Sequence, residues 1–261
     1  MSYTTLRYDL TGAVATITLD RPDRMNALSP PLLAELARAL DAAIADGARA
    51  LILTGEGRAF CSGADLIGED GQIGLPEDLG ALLENYYEPV VKRLAELPIP
   101  IVTAMNGPAV GAGLSIALAG DIVIAARSAH LLLAFVNIGL VPDAGATWLV
   151  AKSVGRMKAL EMALLGEKMS AEDALDAGLI TRVVDDGEAL AEAQKIAGRL
   201  ATMPTRAIGM IRRQIASALT ATLAETLAIE RVNQQAAGRT SDFAEGVQAF
   251  IVKRKPIFQG K

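Results

Sequence analysis

The chain has 261 residues, of which 51% are hydrophobic and 21% charged, and this composition predicts a soluble globular protein with one large domain. A formal net charge of −5 argues against a general nucleic-acid binder, because such proteins carry excess positive charge that contacts phosphates. The single cysteine, Cys61, excludes an intrachain disulfide and fits a reducing compartment. The sequence has no apolar signal-peptide core and no uninterrupted apolar run of about 18 residues, so we expect a cytoplasmic protein without a membrane span.

The first half of the chain predicts strands that alternate with helices. A hairpin is predicted around Gly12, and Ser29 is predicted to cap a helix over 30–46. A second helix is predicted from about 79 to 96, after a glycine- and acid-rich stretch without clear periodicity at 55–80. Short apolar runs predict strands at 13–19, 48–55, 99–107, 121–126 and 130–135. This rhythm indicates an α/β fold with buried strands.

Beyond residue 144 the patterns are mainly helical, and only 179–184 is predicted as a strand. The helical patterns lie at 156–165, 170–177, 187–202, 204–219, 221–237 and 240–253. Their apolar faces must be buried against another surface. We therefore expect a core domain over residues 1–200 and a helical region over 201–261 that packs on this core or on a neighbouring subunit.

Two motifs that would indicate other chemistry are incomplete. The segment GAGLSI (111–116) resembles the start of a dinucleotide-binding fingerprint, but Ile116 occupies the third glycine position and the usual acidic residue is absent. The segment GLSIA (113–117) approaches a serine-nucleophile elbow, whose triad would have to recruit His130, the only histidine. No cluster has metal-ligand spacing, so no metal site is predicted.

Asp143 is the only formally charged residue between Ser128 and Ala151. It follows Pro142 and precedes a glycine-containing turn, and aspartate is a common turn or cap residue in that setting. A lone carboxylate in apolar sequence is also what a general base with a raised pKa requires. The residues alone leave both interpretations open.

Three loops rich in glycine, alanine and serine each follow or adjoin a predicted strand. They lie at 57–66, 105–115 and 139–145. Such loops allow the backbone to approach a ligand closely and leave N–H groups free to bind it. One loop of this kind would be read as an ordinary turn, whereas three in the strand-bearing half favour a binding site.

The chain resembles the crotonase superfamily, which includes enoyl-CoA hydratases and isomerases. The segments that carry the resemblance occur in the family's order at 21–28, 57–66, 106–126, 139–150, 164–184 and 243–258. The resemblance implies a spiral of repeated ββα units with a helical C-terminal trimerisation region. Within the superfamily, 135–150 and 237–261 look most like bacterial isomerases of phenylacetate breakdown that act on ring-epoxidised phenylacetyl-CoA.

The resemblance also implies roles for particular residues. The backbone N–H groups of Ala64 and Ala112 match the pair that polarises a thioester carbonyl, and Asp143 matches the position of the isomerase base. Family hydratases carry two glutamates, which would fall at Ser115 and Phe135. Because neither position is acidic here, efficient hydration is not expected.

Further positions match residues that contact the substrate and its coenzyme A moiety. Two of these positions, Phe250 and Lys253, match residues that often reach the adenosine end from a neighbouring subunit. The matched positions are Arg24, Ala27, Ser62, Asp65, Leu66, Gly111, Pro142, Phe250 and Lys253. Coenzyme A is then part of the substrate, and no separate cofactor is implied.

The leading functional hypothesis is an acyl-CoA isomerase that forms an enolate. It would shift a 3-enoyl double bond to the 2-position or isomerise a ring-epoxy-phenylacetyl-CoA. A hydratase with unusual acids is the first alternative. A non-catalytic acyl-CoA or RNA binder is the second, supported only by the cluster of Arg206, Arg212 and Arg213. The family usually forms trimers or dimers of trimers, so a homotrimer or hexamer is expected.

Overall fold

A computed structural model describes residues 2–67 and 74–261 and contains two sheets. The strands are β1 (Leu6–Thr11), β2 (Val14–Leu19), β3 (Ala50–Gly55), β4 (Ile101–Met105), β5 (Ala109–Val110), β6 (Ile122–Ala126), β7 (His130–Leu132), β8 (Met169–Ser170) and β9 (Arg182–Val184). The larger sheet has the order β1-β2-β3-β4-β6-β9, and all its neighbours except β1 and β2 run parallel. The smaller sheet has the order β5-β7-β8.

The helices fill the intervals between the strands and form most of the C-terminal part. They are α1 (Pro30–Ala45), α2 (Leu79–Leu82), α3 (Glu88–Glu96), α4 (Ala112–Leu118), α5 (Ala146–Leu165), α6 (Ala171–Asp176), α7 (Ala189–Ala201), α8 (Thr205–Ala218), α9 (Leu223–Ala237) and α10 (Ser241–Ile251). A π-helical turn at Leu83–Tyr87 joins α2 to α3. A 3₁₀ segment at Ala134–Ile138 follows β7. The predicted α/β class is therefore confirmed.

The central strands are buried on both faces, as their continuous apolar sequences predict. Every residue of β3 and β4 is buried. Leu51 and Leu53 of β3 belong to the main core, which also contains the apolar face of α1. Ala50 and Ile52 point to the opposite face, where they pack with the alanines of α7. Because successive side chains of a strand face opposite sides, one strand contributes to both cores.

Local sequence signals account for several of the observed element boundaries. The β1–β2 hairpin turns at Gly12, which has a positive φ of 60°. Ser29 caps α1 by accepting a hydrogen bond from the Leu32 N–H at 3.4 Å, as predicted. The predicted helix at 79–96 is continuous but contains the π-helical turn.

Two predicted boundaries are wrong. The apolar run at 130–135 is a strand only to Leu132, because the chain then enters the 3₁₀ segment. Helix α5 begins at Ala146 rather than at residue 156, and it is interrupted at Gly155, where φ is 76°. A glycine with that backbone breaks the helix, so the periodic pattern resumes only after it.

Two arginines join the C-terminal helices to the α/β body. Arg49 donates to the Met203 and Phe258 carbonyls at 2.7 and 3.0 Å. Arg212 of α8 pairs with Asp121 at 2.6 Å and is almost buried. The division of the chain at residue 200 stays a prediction. In the described part of the chain, no helix is both long and apolar enough to cross a bilayer.

Candidate active site

Two glycine-containing loops lie against each other beside the end of the small sheet. The Val110 N–H donates to the Cys61 carbonyl at 2.9 Å, which pairs the 57–66 loop with β5. A Cβ added to Gly63 would lie 2.9 Å from the Val110 oxygen and 3.7 Å from the Cα of Gly111. Only a residue without a side chain permits this approach, and Gly63 also has a φ of 95°. The next residue on each loop is one of the two predicted donors, Ala64 and Ala112.

The N–H groups of Ala64 and Ala112 remain available, although their neighbours are engaged. The Leu28 N–H donates to the Gly63 carbonyl at 2.7 Å, and the Gly111 N–H donates to a β7 carbonyl at 2.8 Å. Ala112 is the first residue of α4, where a helix leaves its N–H groups unpaired. Within residues 2–67 and 74–261, neither alanine N–H has a protein acceptor. The structure thus brings two free backbone donors together.

Asp143 lies in the turn that precedes α5, and its side chain is largely buried. Its Oδ1 has no hydrogen-bond partner among the described residues. Burial raises the pKa of Asp143 to about 6, because the charged carboxylate loses its hydration. Helix α5 has no side-chain cap, so the carboxylate is not a capping group there. The raised pKa agrees with the general-base interpretation made from the sequence.

The turn around Asp143 is held in an uncommon conformation. Ala144 has a φ of 49°, and a left-handed conformation costs a residue with a Cβ roughly 1–2 kcal/mol. The Asp143 carbonyl accepts two hydrogen bonds, from the Ala146 N–H at 2.9 Å and from the Ser115 hydroxyl at 3.1 Å. These bonds fix the backbone that carries the carboxylate.

Asp143 and Ala64 line one cavity of about 440 Å³. Its walls are mainly apolar and include Leu66, Leu75, Leu79, Leu82, Leu83, Val91, Leu140, Val141 and Pro142. Glu88 and Lys92 also line it and form a salt bridge with each other at 2.6 Å. Of the two carboxylates in the described lining, Glu88 is therefore paired with a cation and Asp143 is not. A space of this size accommodates a small-molecule group of several carbons.

The π-helical turn at Leu83–Tyr87 supplies part of the cavity wall. A π-helical turn inserts one extra residue into a helix and shifts the faces that follow, and such turns are frequent at functional sites. Tyr87 is buried, lines the cavity and donates a long hydrogen bond of 3.4 Å to the Leu28 carbonyl. Burial and the nearby Asp143 charge both raise the pKa of Tyr87. The sequence predicts that Tyr86 and Tyr87 lie near the acyl end of the pocket, but Tyr86 is partly exposed and does not belong to the described cavity lining.

Several of the positions expected to contact coenzyme A are connected by hydrogen bonds. Arg24 donates to Asp65 at 2.6 Å, and the Ser62 hydroxyl donates to the Arg24 carbonyl at 3.4 Å. Burial raises the pKa of Asp65, but its hydrogen bonds with Arg24 and Arg21 outweigh that effect and lower it. Leu66 follows in the same loop and lines the cavity. The sequence predicts that the 66–85 loop shapes the acyl end of the pocket, but residues 68–73 of this loop lie outside the described residues.

Arg21 and Asn26 also organise this cluster, and the sequence did not point to either. Arg21 donates to Asp65 at 2.8 Å and to the Ala27 carbonyl at 2.5 Å. Asn26 is fully buried, with a φ of 57°, and its amide donates to the Glu56 and Ala59 carbonyls at 2.9 Å each. Asparagine tolerates a left-handed backbone, so the asparagine in segment 21–28 was the signal from which a tight turn could have been predicted.

Comparison with known proteins assigns the chain to a family. Residues 9–261 match the sequence profile described as Enoyl-CoA hydratase/isomerase. The chain belongs to this enzyme family. It is 48% identical over 250 residues to the 1,2-epoxyphenylacetyl-CoA isomerase of Escherichia coli (strain K12), with 95% of each chain covered. It is 34% identical to the 2,3-dehydroadipyl-CoA hydratase of the same organism, with 95% of this chain and 96% of the relative covered.

A solved structure of the family has the same fold. The enoyl-CoA hydratase from Bacillus anthracis superposes with a TM-score of 0.92 at 32% sequence identity. The superposition covers 99% of this chain and 100% of the hydratase chain. The predicted crotonase-like fold is confirmed by this likeness and by the family match. The observed strand order and C-terminal helices agree with it.

The two positions that match the hydratase glutamates lie at this site, but neither side chain there is a carboxylate. Ser115 is buried in α4 and bonds to the Asp143 carbonyl. Phe135 is buried in the 3₁₀ segment, and a Cβ on Gly111 would lie 3.8 Å from its ring. These side chains occupy the positions with a hydroxyl and an aromatic ring. Neither group can act as a carboxylic acid or carboxylate base.

Phe250 and Lys253 lie outside the cavity of a single chain. Phe250 is 85% exposed on α10, and Lys253 follows that helix with a φ of 55°. Neither belongs to the described cavity lining. A contact between them and the substrate would therefore come from a neighbouring subunit, as the resemblance implies, and it stays a prediction.

The surroundings of Cys61 and His130 favour a structural role for each residue. Cys61 is fully buried, its thiol lies 3.0 Å from the Asn26 carbonyl, and burial raises its pKa to about 12. Such a thiol is not a ready nucleophile. His130 begins β7, and burial lowers its pKa, with a smaller effect from Lys168. Within the described part of the chain, no three His, Cys, Asp or Glu side chains are placed to hold a metal ion.

Proposed function

We propose that this member of the enoyl-CoA hydratase/isomerase family is an acyl-CoA isomerase with one carboxylate base. The observation that carries the proposal is the buried Oδ1 of Asp143, which has no hydrogen-bond partner among the described residues and lies in the same cavity as Ala64. The free N–H of Ala112 lies on the loop that contacts Gly63. One base and two oxyanion donors are sufficient for a proton shift through an enolate.

In the proposed reaction, the thioester oxygen accepts hydrogen bonds from the Ala64 and Ala112 N–H groups. Asp143 removes a proton from a carbon of the acyl chain, and the electron pair moves toward the thioester oxygen. Preorganised donors stabilise that developing charge by about 3 kcal/mol each, by analogy with measured oxyanion holes. The protonated Asp143 then returns the proton to another carbon, which relocates the double bond. A pKa of about 6 suits a group that must both take and return a proton near neutral pH.

The acyl group is proposed from the cavity and from the relatives. The mainly apolar walls favour an aliphatic or ring-containing acyl group over a strongly polar one. The Escherichia coli relative named 1,2-epoxyphenylacetyl-CoA isomerase supports a role in phenylacetate catabolism. We propose two substrate classes, a 3-enoyl-CoA and a ring-epoxidised phenylacetyl-CoA. Both reactions use the thioester carbonyl as the electron acceptor and need no cofactor besides the substrate's own coenzyme A.

Hydration of a 2-enoyl-CoA is the second candidate, because several relatives are named as hydratases or probable hydratases. Hydration requires a group that activates water and a group that protonates carbon. The matched positions hold Ser115 and Phe135, so Asp143 would have to perform both steps. We therefore place isomerisation first.

A non-catalytic RNA-binding role has lost part of its support. Of the three arginines that suggested it, Arg212 is held in an ion pair with Asp121 and in hydrogen bonds to the Leu94 and Leu97 carbonyls. An almost buried, paired guanidinium is not available to a phosphate backbone. A salt-dependent RNA mobility-shift assay should detect no binding at physiological salt.

We propose that the enzyme is a cytoplasmic homotrimer or a hexamer. Many large apolar side chains of the C-terminal helices are exposed in one chain, including Ile211, Ile215, Leu223, Leu227, Val232, Phe243, Val247 and Phe250. Extensive exposed apolar surface of this kind marks a subunit interface. Light scattering should give a mass of three or six 27.3 kDa chains, and a monomer would contradict the assignment.

The functional test is a panel of 2-enoyl-, 3-enoyl- and ring-epoxidised aryl-CoA substrates, with product masses from mass spectrometry and product structures from NMR spectroscopy. We expect products of unchanged mass with a relocated double bond or an opened ring. Addition of 18 mass units as the main outcome would identify a hydratase, since one water is gained. Turnover of no substrate in the panel would contradict the isomerase proposal.

A further inference from the structure

Ser115 connects the two parts of the proposed site. It is 1% exposed, and its hydroxyl donates to the Asp143 carbonyl at 3.1 Å. Ser115 lies in α4, three residues after Ala112, so both residues are on the same face of that helix. The helix that presents an oxyanion donor therefore also binds the turn that presents the base.

The hydrogen bond from Ser115 supports a turn whose backbone conformation is energetically unfavourable. Ala144 has a positive φ of 49°, and a residue with a Cβ keeps such a conformation only when surrounding contacts hold it. Among the described residues, the Asp143 carbonyl accepts one other hydrogen bond, from the Ala146 N–H at 2.9 Å, and Ala146 belongs to the same turn. Ser115 thus provides the hydrogen bond from a separate element.

We propose that Ser115 is a positioning residue for the reaction, and that its hydrogen bond fixes the Asp143 turn relative to α4. The inference rests on the proposed function, since it assigns Ser115 a role in the same proton transfer. The hydroxyl does not touch the substrate in this role. It sets the distance between the base and the carbonyl oxygen that the Ala112 N–H holds. A displacement of about 1 Å in such an arrangement can lower the rate by about 10²-fold.

Replacing Ser115 by alanine removes the hydrogen bond and leaves the coenzyme A cluster unchanged. We expect Ser115→Ala to lower kcat by about 10- to 100-fold and to change KM by less than about threefold. Ser115→Cys fills the space with a weaker donor and should give a smaller loss of kcat. It serves as the second variant if the alanine substitution impairs folding.

The pH profile gives a readout that a general loss of stability would not move. When the turn is released, the Asp143 carboxyl becomes more hydrated, and its pKa falls from about 6 toward the ordinary value. The acid limb of kcat/KM should therefore shift to lower pH in Ser115→Ala. Helix α4 carries no titratable side chain, and neither does the first turn of α5. Tyr87, Glu88 and Lys92 line the cavity with Asp143, and Cys61 and Asp65 act electrostatically on Tyr87. The substitution changes none of these groups.

Thr54 provides a matched control. It is buried in β3, and its hydroxyl donates to the Ala104 carbonyl at 2.9 Å. Thr54→Val removes a buried hydroxyl-to-carbonyl hydrogen bond of similar length in the sheet. It should lower the melting temperature about as much as Ser115→Ala, without changing kcat or the acid limb.

A second substitution tests whether Ser115 acts through the turn. Glycine adopts the left-handed conformation of Ala144 without steric cost, so the turn needs less external support. In the double variant Ser115→Ala/Ala144→Gly, kcat should recover by at least about threefold relative to Ser115→Ala. An unchanged or lower kcat in the double variant would contradict action through the turn.

The outcomes separate this inference from the proposed function. If the parent enzyme isomerises no acyl-CoA, or if Asp143→Asn remains active, the proposed function fails. If Asp143→Asn is inactive while Ser115→Ala and Ser115→Cys keep the parent kcat and acid limb, only the positioning role is overturned. Equal kinetic losses in Thr54→Val and Ser115→Ala would also overturn it, because the effect would then reflect stability alone.

Discussion

Replacement of Asp143 by asparagine should strongly lower turnover and also stabilise the fold. The pKa of Asp143 rises from 3.8 to about 6 because the folded chain buries the carboxylate without an ion-pair partner. A shift of about two pKa units corresponds to an upper bound of about 3 kcal/mol against the ionised folded state. Since the carboxyl is not fully buried, we discount this to about 1–2 kcal/mol. The neutral amide of the variant avoids most of that cost.

The sign of this effect depends on pH. Below about pH 4 the carboxyl is protonated in both the folded and the unfolded chain, so the variant gains little. Between pH 4 and 6 the unfolded chain loses its proton first, and the folded parent enzyme loses stability as the pH rises. Above about pH 6 the difference is complete. We expect the melting temperature of Asp143→Asn to exceed that of the parent by about 2–8 °C at pH 8 and to approach it at pH 4.

Activity should change in the opposite direction. Loss of the base should lower kcat by about two to four orders of magnitude, while binding of a CoA ester, measured by calorimetry, persists. The parent enzyme should show an acid limb in kcat/KM near pH 6, because the base must be ionised.

Asp242 gives the matched control for the stability measurement. It is buried in α10, but its carboxylate accepts hydrogen bonds from the Gln259 and Gly260 N–H groups at 2.6 and 2.8 Å. Asp242→Asn should therefore lower the melting temperature, since an amide cannot accept both bonds through two oxygens. The reasoning would be refuted if Asp143→Asn were less stable than the parent at pH 8, or if its margin were the same at pH 4 and pH 8.

Three further substitutions test the donors and the loops that hold them. Ala112→Pro removes the N–H at the first position of α4, where proline suits a helix, so turnover should fall at least about 10²-fold with an unchanged circular dichroism spectrum. Gly63→Ala would place a methyl group 2.9 Å from a backbone oxygen at a φ of 95°, and both the melting temperature and kcat should fall. Arg21→Lys removes the planar group that joins Asp65 to the adjacent backbone, so KM should rise about three- to tenfold in steady-state assays, and an unchanged KM would contradict a role for this cluster in coenzyme A binding.

Elements with a strong hydrophobic period could be predicted from the sequence. Strands β3 and β4 are apolar apart from one threonine each because both faces are covered, and α1 has a clear cap at Ser29. The position of Asp143 could also be predicted, but its burial and missing partner could not, because both depend on a fold that brings distant segments together. The π-helical turn at Leu83–Tyr87 preserves helical periodicity on either side, so the pattern did not reveal it.

Residues that act by holding the backbone were harder to predict. Arg21 and Asn26 are polar residues in a short segment, where charged and amide side chains are ordinarily exposed. Their importance becomes clear only when their partners 30 to 44 residues away lie beside them. The same applies to Ser115, whose acceptor is 28 residues away in the chain. Sequence comparison of catalytic positions marks it only as the absence of a glutamate.

The residue at position 115 links the choice of reaction to the geometry of the base. A glutamate there would supply an acid–base group for hydration, but an ionised carboxylate only accepts hydrogen bonds. It could not donate to the Asp143 carbonyl as the Ser115 hydroxyl does, and a second carboxylate would lie beside the Asp143 turn. Each charge would then raise the pKa of the other. A chain that uses Asp143 as its single base is therefore better served by a small hydroxyl at position 115 than by a second acid.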